Sequence, residues 1–138
     1  MKKVYICSPY RAKNEAELDR NIEYAQELTR QAIEASLAPI TPHLYLTQCL
    51  HEDRPEERAA GMTAGLALLK SCDFMIVGVK YGISDGMRAE MAVANSLGIE
   101  AVKIDGMRYK MEHERRKRLK EYALLIARLY AEEYFTGR

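Results

Sequence analysis

The sequence has 138 residues, 48% apolar and 30% charged, enough for one domain with a real core and too short for two ordinary ones. Lys and Arg number 21 against 20 Asp and Glu, a net charge of +1. That balance argues against a protein that holds DNA or RNA by wholesale phosphate neutralisation.

Residues 4–7 read as a short buried strand, ended by Ser8 and Pro9. Asn14 followed by Glu17 is a capping-box-like helix start. From there Leu18, Ile22, Ala25, Leu28 and Ala32 recur at helical spacing to about Ser36. Residues 38–42 form a second, very short strand, since prolines at 39 and 42 suit a strand end and not its middle. Residues 43–50 are a short helical turn. Asp53, Pro55 and Glu56 then open a helix that runs to about Ser71. Residues 73–79 are apolar almost throughout, the pattern of a strand covered on both faces. A loop over 81–86 precedes a helix over 87–97, stopped by Gly98 in the C′ position. Residues 100–104 are a fourth strand, Asp105 and Gly106 a turn, and 109–134 one long helix. Its stripe of Leu119, Tyr122, Ala123, Ile126, Leu129 and Tyr130 is amphipathic.

Strand–helix alternation of this kind gives an α/β fold, a parallel sheet with helices on both faces and a long C-terminal helix. The whole chain, 1–138, reads as a single domain, with a core over 1–104 and a basic amphipathic helix over 105–138. Charge follows the same division. Residues 1–100 carry 11 basic and 14 acidic side chains, a net of −3, and residues 101–138 carry 10 and 6, a net of +4. The three cysteines, Cys7, Cys49 and Cys72, are odd in number and widely spaced, which suggests free thiols in a reducing compartment. The opening apolar run, residues 4–7, has only four residues, short of the roughly 7–15 of a secretory h-region and the roughly 20 of a spanning helix. The expected location is cytoplasmic, with no membrane contact.

In open parallel sheets ligands bind beyond the carboxyl ends of the strands, near a topological switch point. That places weight on the segments 8–11, 41–43 and 79–90. Ser84, Asp85 and Gly86 stand where a helix begins, and there free N–H groups and the helix dipole favour an anion. Glu90 lies about one turn further on, placed to point back toward the loop. The competing reading makes Ser84 or Asp85 an ordinary N-cap and Glu90 a surface carboxylate. The first-strand loop offers Tyr5, Ser8, Tyr10 and Arg11, and the second offers His43. Each has an alternative: a core tyrosine, a solvated arginine, a partly buried histidine. His43, Cys49 and His51 match no metal-ligand spacing, and neither G-x-G-x-x-G nor a P-loop occurs, so no metal and no cofactor are expected. Cys7 reads as a small buried thiol rather than a nucleophile.

Tyr5-Ile-Cys-Ser-Pro-Tyr10, Pro39-Ile-Thr-Pro-His43, Cys72-Asp73, Ser84-x-Gly86-x-x-x-Glu90 and Gly98-Ile99, in this order, resemble the nucleoside 2-deoxyribosyltransferase superfamily. That superfamily includes the 2′-deoxynucleoside 5′-phosphate N-hydrolases. Pro55-Glu-Glu-Arg58, Gly61-Met62 and Leu68-Leu69-x-x-Cys-Asp73 narrow the resemblance to small bacterial and phage members. It covers residues 3 to about 104. It implies a flavodoxin-like (Rossmann-like) sheet and cleavage or transfer at an N-glycosidic bond through a covalent glycosyl–carboxylate. Glu90 then takes the place of the family nucleophile, and Tyr5 that of the tyrosine orienting it. Ser8, Tyr10, Arg11, His43, Ser84, Asp85 and Gly86 line the substrate pocket, with Ser84 on a 5′-phosphate. The implied partner is a small nucleoside or nucleotide, in a homo-oligomer. One departure stands out. The family aspartate before the third strand falls on Ala64 or Gly65, which leaves Asp85 or His43 to activate the leaving base. A nucleotide-binding module without catalysis is the alternative that this departure favours.

Overall fold

The computed structural model describes residues 1–105 and 112–135, with the side chains of 117, 119–129 and 131 in the last helix. The chain divides into two compact units, Met1–Met107 and Arg108–Arg138. The first unit runs β1 (Lys3–Cys7), α1 (Glu15–Glu34), β2 (Ala38–Ile40), a 3₁₀ turn (Pro42–Leu44), α2 (Leu46–Cys49), α3 (Pro55–Lys70), β3 (Phe74–Gly78), α4 (Asp85–Ser96) and β4 (Ala101–Ile104). The four strands form one sheet in the order β2-β1-β3-β4, every pair parallel. The expected α/β sheet is therefore present, and its topological switch lies between β1 and β3.

Local chemistry sets the ends of the helices. Asn14 Oδ1 accepts the Glu17 N–H at 2.8 Å, and Glu17 reaches back to the Lys13 N–H at 2.7 Å, which closes the first turn of α1. Helix α4 starts two residues earlier than its apolar spacing indicates, because Ser84 Oγ takes the Met87 N–H and makes Ser84 the N-cap. Gly98, at φ +70°, follows the end of α4 in the left-handed conformation that glycine adopts without strain. Strand β2 stops at Ile40, where Thr41 and Pro42 turn the chain into the 3₁₀ turn. Asp73 stands just outside β3, and its carboxylate accepts the Lys3 N–H at 2.7 Å, tying the starts of the two central strands together.

The sheet is covered on both faces. Val4, Ile6 and Ile76 pack with Tyr24, Leu28 and Ala32 of α1 on one side. Tyr5, Cys7, Met75 and Val77 pack with Leu69 of α3 and with Met87 and Ala94 of α4 on the other. Alternation along β1 thus sends Tyr5 and Cys7 together to the α3/α4 face.

On the α1 face, the approach depends on Gly78. A Cβ there would lie 2.5 Å from Leu28 Cδ1 and 2.8 Å from the Tyr24 hydroxyl. That hydroxyl donates to the Asp105 carbonyl and accepts the Lys80 N–H, so Tyr24 pins α1 to the carboxyl ends of β3 and β4. Neither neighbour has room to retreat, since Leu28 and Tyr24 are both buried.

The second unit consists of α5 (Glu112–Phe135). Leu124, Leu125, Ile126 and Leu129 are at least half exposed, Leu124 at 71%. Of the amphipathic stripe, Leu119, Ile126 and Leu129 are therefore solvent-facing in the single chain, and the Tyr130 side chain lies outside the described residues, as do positions 109–111 of the expected helix. No helix among the described residues is long and apolar enough to cross a membrane.

Gly78→Ala is expected to destabilise the first unit by about 1–3 kcal/mol through overpacking against Leu28 and Tyr24. Urea unfolding followed by far-UV circular dichroism measures it, and an unchanged midpoint would show that α1 yields.

Candidate active site

The residues of interest gather at the carboxyl end of the sheet, beside the β1/β3 switch. Helix α4 leaves β3 through the Lys80–Ser84 loop and places Glu90 in its second turn, facing β1. Glu90 has only 19% of its side chain exposed. Its Oε1 lies 3.8 Å from His43 Nε2, and its Oε2 is buried without a hydrogen-bond partner.

The neighbours of this carboxylate are few and specific. The Tyr5 hydroxyl and the Cys7 thiol, both sent to this face by β1, favour its ionised form. Burial opposes them and wins, raising the Glu90 pKa to about 7. The reciprocal effects are large: desolvation first, and the Glu90 charge second, push both the Tyr5 hydroxyl and the Cys7 thiol far above their ordinary ranges. Both side chains therefore keep their protons at any physiological pH.

His43 is held from three directions. Its ring stacks on Tyr10, with centroids 5.3 Å apart and planes at 13°. The Glu52 charge and the Ser8 backbone both favour its protonated form. Burial outweighs these and lowers its pKa. At neutral pH the imidazole is uncharged, so its approach to Glu90 is a contact between proton-sharing groups rather than an ion pair.

The remaining pocket residues take other positions. Ser8 is 1% exposed, and its hydroxyl is also buried without a partner. Arg11 is exposed, while its carbonyl and that of Tyr10 accept from Asn21 Nδ2 at 3.3 and 3.2 Å. Ser84 and Gly86 are exposed at the start of α4. Asp85 is fully exposed and pairs with Arg88 at 3.0 Å, away from any contact with Glu90. Tyr5, Tyr10, His43 and Glu90 thus form one connected cluster, while Ser84, Asp85 and Gly86 stand exposed at the start of the helix that carries Glu90.

Two residues join this picture that sequence reasoning did not single out for it. Cys7 shares the face of Tyr5, a consequence of the two-residue period of a strand. Asn21 is a buried polar residue within the apolar stripe of α1, and its amide fixes the Tyr10–Arg11 loop. Helix α3 contributes no carboxylate. Gly65 is the residue that faces the cluster: a Cβ there would meet the Tyr5 hydroxyl at 3.6 Å, ordinary van der Waals contact. No group of three metal-ligating side chains occurs among the described residues.

A family model described as a domain of unknown function, DUF7768, matches residues 2–104. The chain belongs to this family. The match covers the whole sheet and leaves α5 outside it, so DUF7768 is the unit that carries the cluster around Glu90. No curated protein sequence matches the chain. Among solved structures, a 2-deoxyribosyltransferase from the psychrotolerant bacterium Bacillus psychrosaccharolyticus superimposes with a TM-score of 0.55 at 20% identity, over 73% of this chain and 70% of that one. A 2-deoxyribosyltransferase from Leishmania mexicana gives 0.54 at 16% identity, over 75% of this chain and 64% of that one. The chain thus shares the fold of these 2-deoxyribosyltransferases.

The raised pKa of Glu90 has a consequence for stability. A carboxyl whose folded pKa exceeds its unfolded value binds more protons in the native state, so stability falls as pH rises from about 4.5 to about 7. Replacing Glu90 by Gln removes that penalty. Glu90→Gln is expected to be more stable than wild type at pH 8, by up to roughly 3 kcal/mol, with the difference shrinking toward pH 5. Urea unfolding at the two pH values checks it, and a pH-independent difference would mean that Glu90 is not perturbed.

Proposed function

We propose that this protein cleaves the N-glycosidic bond of a (deoxy)nucleoside 5′-monophosphate, or transfers its 2-deoxyribosyl group, through a glycosyl–Glu90 intermediate. The observation that carries this reading is the buried Glu90 carboxylate at the switch point of a 2-deoxyribosyltransferase-like fold, flanked by Tyr5, Cys7 and His43.

The chemistry needs an ionised carboxylate against an oxocarbenium-like centre and a proton for the departing base. Glu90, half protonated near pH 7, and neutral His43 hold one proton between them. In this reading the Glu90 proton passes to His43, and the carboxylate attacks C1′ through Oε2, the oxygen with no protein donor on it. The C1′–N bond breaks, its electron pair goes to the base, and the His43 imidazolium protonates that base. Water or a second base then attacks C1′ from the opposite side, gives up its proton to the now neutral His43, displaces the Glu90 carboxylate and restores both the configuration and the proton of the pair. Tyr5 steadies the carboxylate throughout. A 5′-phosphate suits the start of α4, where Ser84 and free N–H groups supply donors, and exposed Arg11 offers a positive charge. Its negative charge also favours the imidazolium.

A specific observation favours a second reading. Gly65 leaves α3 without the carboxyl group that the resemblance leads one to expect, and a nucleotide-binding module without turnover would not need one.

The deciding experiment incubates the protein with each deoxynucleoside 5′-monophosphate and each free deoxynucleoside and measures released base by chromatography. Base release is expected from a monophosphate, with Glu90→Ala inactive. Because the active state holds one proton on the pair, kcat/KM is expected to be bell-shaped, falling on the alkaline side above about pH 7. His43→Gln is expected to lose that alkaline limb and about 10²–10⁴-fold in rate. Base release by Glu90→Ala at the wild-type rate would sink the mechanism. Saturable binding without release, indifferent to Glu90, would establish the binding module.

A further inference from the structure

The loops that follow β1 and β3 come from different parts of the chain, and one guanidinium on α1 reaches both. Arg20 Nε and Nη2 donate to Asn21 Oδ1 at 3.3 and 3.0 Å. The Asn21 amide is thereby held with its Nδ2 toward the Tyr10 and Arg11 carbonyls, at 3.2 and 3.3 Å, so the loop after β1 hangs on this pair. The same guanidinium lies 4.1 Å over the centre of the Tyr81 ring, in the loop that leaves β3 for α4. Tyr81 meets Tyr24 edge-on, with centroids 5.1 Å apart, and the Tyr24 hydroxyl accepts the Lys80 N–H.

We propose that Arg20 is a positioning residue for the site, one planar cation that holds the loop after β1 and the loop after β3 in a fixed relation. Its functional meaning rests on Glu90 being the reacting carboxylate, but the contacts themselves involve no substrate. Tyr10, in the first loop, carries the stacked His43 ring, and the second loop runs into the helix that carries Glu90. The relation between the loops therefore bears on how His43 meets Glu90. A guanidinium suits the task because its edge is a fork of donors while its face lies on an aromatic ring. Here the edge serves Asn21 and the face serves Tyr81. An amide whose oxygen accepts from a cation is also polarised, which strengthens the bonds its own N–H groups donate.

What holds Arg20 belongs to the start of α1. Glu17 Oε1 takes its Nη2 at 3.3 Å, while Glu17 Oε2 accepts the Lys13 N–H and the Glu17 N–H goes to Asn14. The guanidinium is thus fixed to the capped end of the helix. Its side chain is 39% exposed, and a surface ion pair of this kind adds little to global stability, so its loss acts on local geometry. Lys80 Nζ also lies 5.5 Å from the centre of the Tyr81 ring, but it comes from the same loop as Tyr81 and ties that loop to nothing else.

The test measures backbone order parameters by ¹⁵N NMR relaxation in the full chain without ligand. Arg20→Ala is expected to lower them at residues 10–12 and 80–83 together, from the rigid value of about 0.85 to below about 0.6. Asn21→Ala is expected to loosen the first loop alone, and Tyr81→Leu the second alone. Arg20→Lys keeps a cation but has no fork, and is expected to hold one loop and not both. Circular dichroism confirms that each variant folds. In the base-release assay Arg20→Ala is expected to lower kcat by about 10–10²-fold and to change KM far less, the mark of a misplaced reacting group. Order parameters unchanged in folded Arg20→Ala, or lowered in one loop only, would overturn the proposal. So would Arg20→Lys with both loops rigid, or a loosened Arg20→Ala that keeps the full kcat of an active wild type. Where both loops loosen and wild type itself releases no base, Arg20 stands as the tie between the loops and the catalytic reading alone falls.

Discussion

A carboxylate taken out of water governs the first unit. Moving the Glu90 pKa to about 7 means that its ionised form is disfavoured in the fold by on the order of 3 kcal/mol relative to an ordinary exposed carboxylate. That is a sizeable part of the stability of a small domain. The fold tolerates it because the carboxyl is neutral over much of the relevant pH range and because three side chains stand ready when it ionises. A group maintained at such expense, beside a sheet edge where ligands of parallel folds bind, has a stronger claim to function than an exposed carboxylate.

The architecture explains how the group is kept there. Strand β1 sits in the middle of the sheet, hydrogen-bonded to β2 on one side and β3 on the other. Its alternation gives Val4 and Ile6 to the packing against α1, and Tyr5 and Cys7 to the packing against α3 and α4. The α1 face is the anchored one. Gly78 lets α1 lie against β3, and the Tyr24 hydroxyl clamps the ends of β3 and β4. Since α4 begins in the loop that leaves β3, fixing that strand end also fixes the depth at which Glu90 meets β1. The Asn21 amide does the same for the opposite rim by holding the Tyr10–Arg11 loop, on which the His43 ring stacks.

Most of this fold was legible because its signals are local. Asn14 with Glu17, Ser84 before α4 and Gly98 after it each mark a boundary through a hydrogen bond or a backbone conformation that the residue type itself prefers. The apolar run around Ile76 likewise announces a strand covered twice. The convergence of Tyr5, His43 and Glu90 was legible only as far as strand ends share an edge. What escaped depends on relations between elements. Whether Asp85 or Glu90 turns inward is decided by the rotation of α4, and a cap at Ser84 rather than Asp85 leaves Asp85 in solvent beside Arg88. Cys7 looks like core filling until the register puts α4 opposite it. Asn21 looks like an interruption of a stripe until the loop above it supplies two carbonyls. The exposed leucines of α5 mark the opposite limit: periodicity revealed a face without revealing what lies on it.

Gly65 ties the site together by what it omits. Its Cβ position lies 3.6 Å from the Tyr5 hydroxyl, so a side chain there would project over the very group that faces Glu90. With glycine, α3 offers neither a charge to raise the Glu90 pKa further nor a second acid to protonate a leaving group. A carboxylate at 65 would repel an ionised Glu90, and each charge would push the other's pKa upward. Its absence lets Glu90 balance near neutrality on burial, two neutral donors and an uncharged imidazole. Among the described residues, His43 is the titratable neighbour left to exchange a proton with it near pH 7, because Tyr5 and Cys7 are pushed far too high to release theirs. In the proposed mechanism acid–base work therefore falls to the β2 side of the sheet rather than to α3, and the His43 ring there stacks on Tyr10.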